Sequence, residues 1–136
     1  MTRATVEHDV LMASCAISAG IHAALAPEHL REEPAAGIGF VVSAAVLAVL
    51  CVVLTYRPGS RPAVGAAVAV LAALLVAYAL AITVGVPGLH PDAEPADGLG
   101  LATKAIELVG LAAALHLAMP GRHAGRLTRL QPKGTR

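Results

Sequence analysis

The chain is nearly without aromatic side chains and is short of charge. It has no Trp, one Phe and two Tyr, and only 14% of its 136 residues are charged. Soluble domains run near a quarter charged, so there are too few polar side chains here to cover a water-facing surface. Two cysteines are too few for a disulfide framework. There is no GxSxG, CxxC, P-loop, HExxH or dinucleotide fingerprint, so no catalytic residue is assigned and the chain does not read as an enzyme. No internal repeat stands out. The basic tail is too short and too poor in aromatics to point to nucleic acid.

What remains is apolar. Hydrophobic residues make up 57% of the chain, with a mean hydropathy of +0.71. They fall in four runs, about residues 10–26, 37–55, 62–84 and 98–119. A bilayer core of about 30 Å takes roughly 20 apolar residues as a helix. In lipid every backbone polar group must pair within the segment or in a closed barrel. Continuous apolar runs fit helices, because barrel strands would alternate. The expectation is all-α: one integral membrane domain over 1–136, a four-transmembrane-helix antiparallel bundle in up-down-up-down order, with a basic tail over 120–136.

Charge between the runs sets an orientation. "TYRPGSRP" carries Arg57 and Arg61 and no acid, and the tail carries Arg122, Arg126, Arg129, Lys133 and Arg136, again without acid. The other two connectors are acidic. Lys and Arg mark the cytoplasmic side, which puts both termini in the cytoplasm and the acidic connectors outside. Anionic headgroups of the bilayer are the natural partners of the tail. Ala24-Leu25-Ala26 has the form of a signal cleavage site, but Pro27 would follow it directly, so the first run is expected to be retained.

The first run has two faces. Ala16, Gly20 and Ala24 make one smooth face of the kind that lets membrane helices approach closely, and Gly65, Ala69, Gly110 and Ala114 suggest the same on runs 3 and 4. Cys15, Ser18 and His22 form a polar stripe on the other side, with Ser14 alongside. The stripe leads into "APEHLREEPAAG", where Pro27 suits the start of a new short helix closed by Pro34 and Gly37. Cys15 and Cys51 share a depth, which allows a contact without requiring one; both read as small packing residues.

Run 4 adds Lys104 and Glu107, charges inside an apolar segment. Three residues apart, they face the same way and can pair. They lie about 9 and 13 Å in from Gly98, a depth close to that of His22. His22, Lys104 and Glu107 are therefore candidates for ligand binding or a proton relay. Imidazole and carboxylate together also bind transition metals. His22, His29, Glu32 and Glu33, joined by His90 and Asp92 of the other acidic connector, are candidate metal ligands. Beside this stands the plainer reading, in which outer loops are simply polar and Lys104–Glu107 locks the bundle. Haem is disfavoured, because His22 and His116 lie more than about 15 Å apart along the membrane normal and cannot share an iron.

The segments "HAALAPEHLRE" and "LGLATKAIEL", with the Ala, Val, Gly and Arg usage around them, resemble the small four-helix integral membrane proteins of high-GC actinobacteria. That resemblance implies a membrane fold and carries no activity to any residue. Two functions follow as expectations. One is binding or passage of a small cation, a transition metal or a proton, at the His/Glu/Lys cluster. The other is a non-catalytic accessory or assembly subunit, packed by its small-residue faces into a homo-oligomer or a larger membrane complex.

Overall fold

The computed structural model describes residues 2–86, 93 and 95–119. Among them are four helices and no strand element: α1 Arg3–Glu32, α2 Pro34–Tyr56, α3 Arg61–Thr83 and α4 Gly98–Ala118. Each is long and apolar enough to cross a membrane.

The starts are set by caps that the sequence supplies. Thr2, Ser60 and Asp97 each accept a hydrogen bond from the backbone N–H three residues on, at Thr5, Ala63 and Gly100. This satisfies amides that a helix start leaves open. Pro34 and Pro62 sit in the first turns of α2 and α3, where a missing N–H costs nothing. Past the end of α3, Gly85 takes a positive φ of 72°, a conformation that favours glycine.

Pro27 does not begin a new helix. It lies inside α1, which continues to Glu32, so the polar segment expected as a connector is helical. Glu33 alone separates α1 from α2. Its N–H donates to the His29 carbonyl, while the Gly37 N–H donates back to the Glu33 carbonyl. Gly37 is also not a terminator. A Cβ there would collide with the backbone of Leu30, so the tight elbow between the two helices needs glycine.

α1 packs closely on α2 and on α4, and α3 on α4, while α2 and α3 touch least of the pairs in contact. One end of the bundle is filled by Leu11, Cys15, Leu47, Leu54 and Leu71, with Ala67 and Ala114 between them. At this leucine end the His8 ring donates to the Leu54 carbonyl at 3.2 Å, closing one of the acceptors that the end of α2 leaves open. Glu7 holds Arg3 at 2.9 Å and stands 3.7 Å from His116 of α4. Cys15 and Cys51 are free thiols, and Cys51 Sγ donates to the Met12 carbonyl at 3.8 Å.

The surface is apolar where a soluble protein's is polar. α2 turns Val41, Val42, Val49 and Val52 outward, whereas Ser14, Ser18, His22, Thr103 and Glu107 are buried. Of the small-residue faces, only that of α4 points inward. Ala16, Gly20 and Ala24 are exposed, as are Gly65 and Ala69. Gly110 and Ala114 are buried, and a Cβ on Gly110 would come within 2.6 Å of the Ser14 Cβ. α1 and α4 approach closely there, glycine against serine.

Candidate functional site

The polar stripe of α1 and the charged pair of α4 meet inside the bundle. Lys104 Nζ donates to Glu107 Oε2 at 2.6 Å. Ser18 Oγ donates to the other carboxylate oxygen, Oε1, at 2.7 Å. The same hydroxyl lies 3.3 Å from His22 Nδ1. Lys104, Glu107, Ser18 and His22 therefore form one continuous chain across the α1–α4 interface. Glu107 is completely buried, and the Lys104 side chain keeps 15% of its surface. A buried carboxylate is tolerable only when its lone pairs are met and its charge is compensated. Here Lys104 compensates the charge, and Ser18 meets the second oxygen.

The hydrogen bonds also set the histidine tautomers. His22 Nδ1 is 2.9 Å from the Ser18 carbonyl, and His29 Nδ1 is 3.0 Å from the Leu25 carbonyl. A carbonyl only accepts, so Nδ1 carries a proton in both rings, and the acceptor of the neutral form of each ring is Nε2. Both rings flank Phe40 of α2, with centroids 5.3 Å away for His22 and 4.1 Å for His29.

Above this chain, at the end of the bundle opposite the leucines, is a cavity of about 440 Å³. All four helices line it. Its walls are mostly apolar, with Ile21, Leu25, Leu74 and Leu99 among them, and its polar side chains are His22, His29, Ser43, Tyr78, Asp97, Thr103 and Lys104. This is the size and make-up of a small-molecule site. Lys104 Nζ stands 5.6 Å from the Tyr78 ring centroid. The Tyr78 hydroxyl is buried without a hydrogen-bond partner, seated where a Gly100 Cβ would come within 3.0 Å of it. Thr103 and Asp97 are satisfied by helix backbone, at the Leu99 carbonyl and the Gly100 amide.

His22, Lys104 and Glu107 are thus brought together as their spacing suggests. Of the proposed metal ligands, the described ones, His22, His29, Glu32 and Glu33, form no such group. On the continuous α1, His22 and His29 are two turns apart, about 10.5 Å along the axis. Glu32 is exposed and Glu33 is the elbow residue. His90 and Asp92 lie outside the described residues. Among the described residues, no three His, Cys, Asp or Glu side chains gather closely enough to hold one ion. His116 belongs to the leucine end, beside Glu7.

Sequence reasoning missed Phe40 and Tyr78. A signal existed in their rarity: Phe40 is the only Phe, and Tyr78 one of two Tyr. It also placed Ser18 on the polar stripe without seeing that this hydroxyl joins the two helices. No known protein family, curated protein or solved structure matches the chain.

Proposed function

We propose that the chain is a multi-pass protein of a bacterial plasma membrane that binds a small ligand in the outer half of its bundle, with His22, Lys104 and Glu107 as ligand-binding and proton-relay groups. The helices run up-down-up-down, both termini are cytoplasmic, and the cavity faces the outer leaflet. Arg57 and Arg61 on one side and Glu28, Glu32 and Glu33 on the other support that orientation. The observation that carries the function is the chain from Lys104 through Glu107 to the Ser18 hydroxyl, which stands 3.3 Å from His22 Nδ1 beside a cavity.

Of the small cations, the proton fits this arrangement best. Both Glu107 oxygens are already taken by Lys104 and Ser18, which leaves no carboxylate edge for a metal. Binding fits better than passage, because Leu11, Leu47, Leu54 and Leu71 are fully buried at the other end and break any polar route. The test is nuclear magnetic resonance of labelled histidines in lipid discs. Glu107→Gln is expected to change the titration midpoint of His22 and leave that of His116 unchanged. An unaltered His22 midpoint overturns the relay.

A second reading rests on a separate observation. The smooth face of Ala16, Gly20 and Ala24 is turned out of the bundle, which suits an accessory subunit docking on another membrane helix or on its own copy. Gly20→Leu then breaks an assembly seen on native gels without unfolding the monomer. An unchanged assembly excludes this face.

A further inference from the structure

We infer that the cavity takes an uncharged, hydroxyl-bearing apolar molecule from the lipid phase, its hydroxyl held between Lys104 and His22. This rests on the ligand-binding reading above and names the ligand class.

Charge is the first constraint. Lys104 and Glu107 cancel at 2.6 Å, and the remaining charge at the cavity, Asp97, is exposed and held by the Gly100 amide as the cap of α4. A charged guest would bring an uncompensated charge into a low-dielectric interior, where its cost is high. A cation would in addition face the Lys104 ammonium. An uncharged guest adds no such penalty.

Hydrogen-bonding capacity is the second constraint. Lys104 spends one N–H on Glu107, and an ammonium has three. It therefore offers donors toward the cavity that it lines. His22 commits Nδ1 to the Ser18 carbonyl, and its Nε2 remains an acceptor without a partner among the described residues. A donor and an acceptor on one wall match a group that does both, and a hydroxyl is the smallest such group. A ketone or ester would leave Nε2 unmet, and an ether likewise. The unpartnered Tyr78 hydroxyl is a further polar atom that the folded chain leaves unsatisfied at this wall.

The route is the third. α2 and α3 touch least of the neighbouring pairs, and the cavity separates them. Gly39 and Ser43 flank that seam from α2, and Ala77 and Ala81 from α3. Small side chains there obstruct entry between the two helices least, and Phe40, Leu25 and Leu74 give the cavity aliphatic and aromatic walls. A molecule with an apolar body and one hydroxyl reaches the cavity through lipid without crossing water.

The test uses the full chain in lipid discs with labelled histidine and four probes: 4-nonylphenol, its methyl ether, nonylbenzene and nonanoate. The readout is the saturable shift of the His22 resonance, with empty discs correcting for partition into lipid. The phenol is expected to bind, and its methyl ether roughly tenfold more weakly, the value of about one hydrogen bond. Nonylbenzene is expected to bind no better than the ether, and nonanoate not to saturate the site. His22→Gln, which keeps a polar side chain, is expected to reduce the phenol-over-ether preference, followed on the His29 resonance. Equal binding of phenol and ether overturns the hydroxyl assignment and leaves the binding site standing. Tighter binding of nonanoate overturns the charge argument. Failure of all four probes overturns the binding site itself.

Discussion

The two ends of the bundle are built from the same four helices and solve opposite problems. At the leucine end, Leu11, Leu47, Leu54 and Leu71 have no exposed surface, and alanines fill between them. At the cavity end, the helices stand off around about 440 Å³, and the interior there is held by a few short polar contacts. Lipid tails are as apolar as leucine, so burial from water does not drive helices together in a bilayer. The leucine end relies on close packing. The cavity end replaces lost packing with the Lys104–Glu107–Ser18–His22 chain, whose members have no better partners in hydrocarbon.

The contrast is broken most strongly at Lys104. Lys104→Met leaves Glu107 buried without its counter-charge, and a loss of about 3–5 kcal/mol is expected, read by denaturant unfolding in detergent. Lys104→Met with Glu107→Leu together should recover most of it. No recovery in the double variant would mean that the loss does not come from an uncompensated Glu107 charge.

Packing is the next lever. Leu71→Ala, at a fully buried position, should cost about 2 kcal/mol through the void it leaves. Leu74→Ala, one turn away on the cavity wall, should cost clearly less, because it enlarges a space that already exists. Equal losses would mean that the cavity end is as tightly packed as the other.

Ser18→Ala removes the bridge between the two helices. An effect of about 0.6–1 kcal/mol is expected, the size of a hydrogen bond between membrane helices. The informative readout is the loss of coupling between Glu107 and His22 in the histidine titration. Coupling that survives the substitution would show that a route other than Ser18 joins them.

The smallest effect belongs to the outward face of α1. A side chain at Gly20 meets nothing within 4 Å, so Gly20→Leu should change monomer stability by less than about 0.5 kcal/mol. A larger loss would place that face inside the bundle.

Sequence alone determined the four helices, because runs of about 20 apolar residues have one stable form in hydrocarbon. It also brought Lys104, Glu107 and His22 to roughly matching depths, since helical rise is fixed and depth is a count of residues. Spacing on one helix separated the Ser18–His22 stripe from the Gly20 face. Spacing cannot say which face turns inward, and in an alanine-rich chain a smooth face is as suited to a neighbour as to lipid. Only packing decided that Gly110 meets Ser14 while Gly20 looks outward. Only the fold carried α1 through Pro27, because a proline's local preference yields when the rest of the helix is held by contacts on both sides. The cavity was beyond sequence for the same reason. Its walls come from all four helices, and a space between elements is a property of how they are set against one another, which no single run of residues encodes.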